Sequence, residues 1–159
     1  MEIIFHPIGT IYSPHKTIQD MPIQPAAARG IKGSIDVFPE FVPALKDVEG
    51  FSHIYLVYHF HRVNNWQPRV IPFLDTKERG LFATRAPKRP NPIGLSVVRL
   101  LDIFKGRLEV ENVDILDGTP LLDIKPYVPK FDNFTVDSIG WLDELSEEVK
   151  HMRSDTRFK

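Results

Sequence analysis

The chain reads as mainly β, a small antiparallel barrel with short peripheral helices, and three observations lead there. Its apolar runs are short and strand-like, and fourteen prolines punctuate them. No stretch of roughly 10 to 15 residues with helical periodicity separates the strands, as a doubly wound sheet would require. A chain of 159 residues suits one domain that buries roughly two thirds of its unfolded surface. We expect the barrel over 1–130 and a tail over 131–159 whose short helix packs on it.

The elements follow in order. Glu2 to Tyr12 is rich in β-branched and aromatic residues and reads as a strand. Pro14 to Gly30 carries Pro14, Pro22 and Pro25 with little periodicity, which predicts a long loop. Lys32 to Phe38 alternates apolar and polar positions, a second strand. Phe41, Val42, Leu45 and Val48 stand at helical spacing before Gly50, so a short helix is expected over Pro39 to Val48. Phe51 to Val63 is the most strand-like run, and Leu81 to Thr84 and Leu95 to Phe104 read as further strands. Lys105-Gly106 suits a hairpin turn into Leu108 to Ile115, and Asp117 to Tyr127 is extended. Leu142 to Val149 suits a short helix. There Asp143, Glu144, Glu147 and Glu148 precede Lys150, Arg153, Arg157 and Lys159, a polarity that suits a helix dipole and solvated ends.

Composition narrows the function classes. Hydrophobic residues make up 42% and charged residues 26%, and no apolar run approaches the ~20 residues of a membrane span. No membrane association is expected. With no cysteine, disulfides, thiolate catalysis and zinc ribbons are excluded. No cationic segment followed by an apolar core opens the chain, so a cytoplasmic protein is the simplest expectation. A net charge of −1 argues against a general polyanion coat, so any nucleic-acid contact must be a local patch.

Three stretches carry chemistry. Thr84 to Ser96 holds Arg85, Lys88 and Arg89 among Pro87, Pro90 and Pro92, with Asn91 between the last two. Prolines stiffen such a loop, and pre-positioned cations suit a carboxylate, a phosphate or the face of a base. A solvated proline loop is the plain alternative. Alternation on the long strand puts His53, Tyr55, Val57, His59 and His61 on one face, and His-x-His can ligate zinc or iron with Asp36 or Glu40. His53 and His61 would stand about 20 Å apart by strand rise, so all three cannot share one ion. Asp114 to Tyr127 contains Asp117-Gly118-Thr119-Pro120, a turn whose amides and hydroxyl suit a ligand or only the turn itself. No Walker loop, dinucleotide fingerprint or serine elbow is present.

Taken together, Ile8 to His15, Gly50 to His53, Gly80 to Ser96 and Asp117 to Tyr127 resemble, in order, the motifs of the TrmO (TsaA-like) family. The resemblance implies an S-adenosylmethionine-dependent tRNA methyltransferase on a small non-Rossmann β-barrel. Its implied substrate is N6 of threonylcarbamoyladenosine beside the anticodon of threonine tRNA. It also implies a homodimer with the cofactor near the subunit interface. Carried over residue by residue, Ser13, Pro14, His15, Ser52, His53, Arg85, Leu95, Asp117, Gly118, Thr119 and Pro120 fall at the cofactor. Arg85, Lys88, Arg89 and Asn91 form the loop facing RNA. Methyl transfer needs no metal, and His53, Asp114 and Asp117 are the candidates to take the proton leaving the acceptor nitrogen. Family members from bacteria carry a further C-terminal domain; the basic tail with Arg153, Arg157 and Lys159 is a candidate substitute. A non-catalytic module that binds S-adenosylmethionine and a histidine-based metalloenzyme are the alternatives.

Overall fold

The structure, a computed structural model, describes residues 1–19, 21–22, 25–73 and 75–144. Six strands close into an antiparallel barrel: β1 (Gly9–Tyr12), β2 (Lys32–Val37), β3 (His53–His59), β6 (Ile93–Phe104), β7 (Arg107–Glu111) and β8 (Thr119–Pro126). Around the barrel they run β1, β2, β7, β6, β3, β8 and back to β1. Between β3 and β6 the chain makes a small antiparallel ribbon of β4 (Arg69–Val70) and β5 (Arg79–Gly80). Closure leaves the six barrel strands without an unpaired edge.

Period-two alternation fills the interior. Ile54, Leu56 and Tyr58 of β3 point inward, as do Val98 and Leu100 of β6. They meet Ile11, Ile35, Leu108, Val110 and Leu121 from the other strands. Fully burying each such side chain contributes about 1.5–3 kcal/mol. The ribbon has its own small core of Val70, Leu81 and Ala86, with Phe73 packed against it.

Several expected elements are shorter or of another kind. The first strand begins only at Gly9: Ile8 donates to the Leu121 carbonyl (2.8 Å), but the preceding Pro7 has no N–H to extend the ladder. The expected helix over Pro39 to Val48 is instead a 3₁₀ turn at Pro39–Leu45 followed by another at Val48–Gly50, because Pro43 removes an internal donor. Leu81 to Thr84, expected as a strand, is a 3₁₀ turn over Leu81–Ala83. The Leu81 carbonyl accepts from both the Thr84 N–H (3.1 Å) and its hydroxyl (2.8 Å), which curls the chain. Lys105 and Gly106 form the expected hairpin turn with φ of 49° and 83°, the left-handed pair that matches strand twist. Three further pieces were not expected: the β4–β5 ribbon, a 3₁₀ turn at Pro25–Ala28 and the short helix α1 (Pro129–Asp132). Near the tail, Gly140–Glu144 is a 3₁₀ turn; the remainder of the expected helix and the basic residues Lys150, Arg153, Arg157 and Lys159 lie outside the described residues.

Candidate functional site

Strand direction divides the barrel into two ends. At one, which we call the mouth, the chain leaves β1, β3 and β7 and enters β2, β6 and β8. Three loops therefore gather there, over 13–31, 60–92 and 112–118. The opposite end carries 38–52, the Lys105-Gly106 turn and the exit from β8.

At the mouth the loops after β1 and before β8 are stitched together. The Ser13 N–H donates to Asp117 Oδ1 (3.0 Å) and its hydroxyl to the Ile115 carbonyl (2.6 Å). Asp117 N–H donates to the His15 carbonyl (2.8 Å), and His15 Nε2 lies 2.9 Å from the Val113 carbonyl. Lys16 Nζ closes the other carboxylate oxygen of Asp117 at 2.6 Å. The Lys16 and Ser13 bonds hold the Asp117 carboxyl below its ordinary value. Thr119 donates to the Leu116 carbonyl (2.6 Å) and sits 3.4 Å from His61 Nδ1. Ser13, Asp117 and Thr119 thus spend their side chains on shaping the loops. Gly118, at φ 73°, is exposed, with no atom within 4 Å of where a Cβ would stand.

Beside this knot lies a directional chain of hydroxyls. Ser96 donates to Asp114 Oδ1 (2.8 Å), so its single proton is used. Tyr58, 3.0 Å from Ser96 Oγ, must then be the donor to it. Burial raises the Asp114 carboxyl to about 6, against the lowering pull of the Ser96 hydrogen bond, its own backbone and the charge of Arg85. Burial, and next the Asp114 charge, push the Tyr58 phenol up. Gly94 makes the chain possible: a Cβ at that position would overlap the Tyr58 ring.

The basic loop is partly self-contained. Arg89 donates to the Thr84 (2.9 Å) and Ala86 (3.3 Å) carbonyls and lies over the Phe82 ring, 5.5 Å from its centroid. Arg85 and Asn91 are exposed and Lys88 is half-buried. Leu95 is 61% exposed on the outer wall, opposite Val57 of β3.

Ser52 and His53 sit elsewhere. They bond to each other (Ser52 Oγ to His53 Nδ1, 2.9 Å) at the far end, where His53 also meets the Tyr127 ring edge-on. Within one chain they do not join Ser13–His15, Arg85 or Asp114–Pro120. The far end holds a cavity of about 370 Å³, lined mostly by apolar side chains such as Ile8, Leu45, Phe51 and Ile124. Among the described residues, no group of three or more His, Asp or Glu is placed to hold a metal ion.

Tyr58, Gly94, Ser96 and Lys16 have no role in the sequence reading. Gly94 and Ser96 share the inward parity of β6 while Leu95 faces out, so alternation alone carried the signal.

The family model described as the tRNA-methyltransferase O N-terminal domain matches residues 10–133. This chain belongs to the tRNA-methyltransferase O family. It is 53% identical over 156 residues to a probable S-adenosyl-L-methionine-binding protein of Pyrococcus abyssi, covering 98% of this chain and 85% of that one. It is 36% identical over 135 residues to the tRNA (adenine(37)-N6)-methyltransferase of Escherichia coli, covering 79% of this chain and 57% of that enzyme. The crystal structure of TrmO from Pseudomonas aeruginosa superposes with a TM-score of 0.74 at 40% identity, over 89% of this chain and 63% of that one. The chain thus spans only part of its longer TrmO relatives. The family's barrel is the one described above. No helix among the described residues is long and apolar enough to cross a membrane.

Proposed function

We propose that this chain catalyses S-adenosylmethionine-dependent methylation of tRNA, at N6 of the threonylcarbamoyladenosine beside the anticodon of threonine tRNA. The observation that carries this reading is the meeting of three family motifs at one barrel mouth, around Asp114. The mouth suits the cofactor: the open backbone at Gly118 admits close approach, Leu95 offers an apolar face, and Pro14, His15 and Pro120 flank them. When bound, S-adenosylmethionine supplies an already activated methyl group, so the protein's tasks are alignment and removal of one proton. The acceptor nitrogen, conjugated to a purine and a carbonyl, is weakly nucleophilic until that proton leaves. One carboxylate oxygen of Asp114 takes it, while Ser96, itself held by Tyr58, donates to the other. Asp117 is a poor acceptor, because Lys16 and Ser13 keep it ionised. Arg85 and Lys88 face the RNA, and Arg89 braces that loop. Asn91 lies beside them as a base-edge or phosphate contact.

Ser52 and His53 belong to the same reading through a homodimer. Ile93 and Leu95, 37% and 61% exposed, form an apolar strip on the outer wall beside the mouth. In a dimer that sets the far end of one copy against the mouth of the other, Ser52 and His53 of a second copy complete the cofactor site. The archaeal relative's name, a binding protein, favours the second reading, a module that holds S-adenosylmethionine without transferring its methyl.

The test is to incubate the protein with S-adenosylmethionine and threonine tRNA bearing the threonylcarbamoyl group. Mass spectrometry of that nucleoside should show one methyl gained, lost in Arg85→Ala. Cofactor binding with no methyl gain on any tRNA would favour the binding module.

A further inference from the structure

The segment 60–92 departs from the rest of the chain in charge. It carries seven Lys or Arg against two Asp or Glu, in a chain whose net charge is −1. Its ribbon is anchored by pairing of Arg69 with Gly80 and Val70 with Arg79, and the Leu81 N–H donates to the Pro68 carbonyl (2.9 Å). Trp66-Gln67 and Phe82-Ala83 therefore leave the ribbon at the same end. The small core beneath buries Val70, Leu81 and Ala86, yet leaves the two large aromatics out: Trp66 is 50% exposed and Phe82 76%. Burying such rings would contribute about 1.5–3 kcal/mol apiece, so their exposure forgoes stability.

The surroundings of these rings have a common chemistry. Asn64, Asn65 and Gln67, all exposed, flank Trp66, with Asn65 in the left-handed region at φ 60°. Arg62 and Arg69 stand on either side, and the Arg89 guanidinium lies over Phe82. Aromatic faces with guanidinium and amide groups recognise unpaired bases by stacking and edge hydrogen bonds, while the cations take the phosphates. Double-stranded RNA offers no base faces to such a surface. The segment joins the mouth on both sides: His61 lies against Thr119, and Arg85 acts on the charge of Asp114.

We propose that Trp66 and Phe82 form a stacking platform for unpaired bases of the tRNA loop that carries the target adenine. This inference rests on the tRNA reading above. Arg62 and Arg69 contact the backbone of the same loop. The platform sets KM for tRNA and leaves the chemical step alone.

The test uses the intact protein, an anticodon stem-loop RNA and a fully duplex RNA of equal length, with binding read by fluorescence anisotropy. Trp66→Ala and Phe82→Ala should each weaken stem-loop binding about tenfold, with KM for tRNA rising alike and kcat unchanged. Duplex binding and the affinity for S-adenosylmethionine should change less than about twofold, and Trp66→Phe should retain most of the binding. Stem-loop affinity unchanged in both alanine variants overturns the platform. Stem-loop binding that depends on Trp66, without methyl transfer by the wild type, overturns the catalytic reading and leaves the platform standing. No stem-loop binding by the wild type overturns both.

Discussion

Asp114→Asn is expected to lose most methyl transfer and yet to be more stable than the wild type above pH 6. Removing a positioned proton acceptor lowers kcat by about 10²- to 10⁴-fold. The stability gain follows from the raised carboxyl. Its folded value of about 6 exceeds the ordinary 3.8, so the folded state holds the proton more tightly than the unfolded chain. The favourable contribution of the protonated form is complete below the unfolded value and is lost as pH rises through about 6. At pH 8 the ionised Asp114 therefore costs up to roughly 3 kcal/mol, which an uncharged Asn does not incur. Thermal melts of the two proteins should coincide near pH 3, separate between about pH 4 and 6, and keep a constant gap above that, with the variant higher. The wild-type kcat should rise with pH to a plateau above about 6, and a kcat for Asp114→Asn within threefold of wild type would remove Asp114 from the reaction.

Gly94→Ala is expected to cause a large loss of stability. The new Cβ would stand inside the Tyr58 ring, which is 5% exposed in the barrel interior. Overpacking of this kind costs about 1–3 kcal/mol, and moving the ring also breaks the Tyr58 to Ser96 bond, about 1 kcal/mol more. A Tm lower by about 10 °C is the expected scale. Tyr58→Leu in the same chain should recover part of it, because the two changes share one contact and are not additive. Additive losses in the double variant would show that the ring and the glycine do not constrain each other.

What the sequence disclosed and what it hid divide along physical lines. β2, β3, β6, β7 and β8 were legible because period-two alternation survives wherever one face is buried, and Lys105-Gly106 was legible from turn chemistry. Residues Glu2 to Pro7 have strand composition, but no strand among the described residues pairs with them, and pairing is a tertiary fact. Leu81 to Thr84 has strand composition too, and a local hydroxyl bond from Thr84 overrides it. At the site, the motifs identified the right segments but not the work of each side chain. Asp117 looks like a ligand in sequence and is a staple in space, because Lys16 and Ser13 reach it from more than a hundred residues earlier. Ser52 and His53 sit in a family motif yet lie at the far end of the barrel, a separation that only strand direction reveals.

The seam between β1 and β8 bears on how the molecule comes to be folded. Gly9 pairs with Leu121 and Ser13 with Asp117, so the barrel closes through contacts separated by more than a hundred residues. Closing so long a loop costs entropy before any pairing offsets it, which places this chain among the slow folders, in milliseconds to seconds. The local hairpin of β6 and β7 can form early, whereas the Ser13 to Asp117 knot exists only once the seam has shut. The mouth is therefore assembled last, and a chain that stalls before closure holds much of its sheet but no binding site.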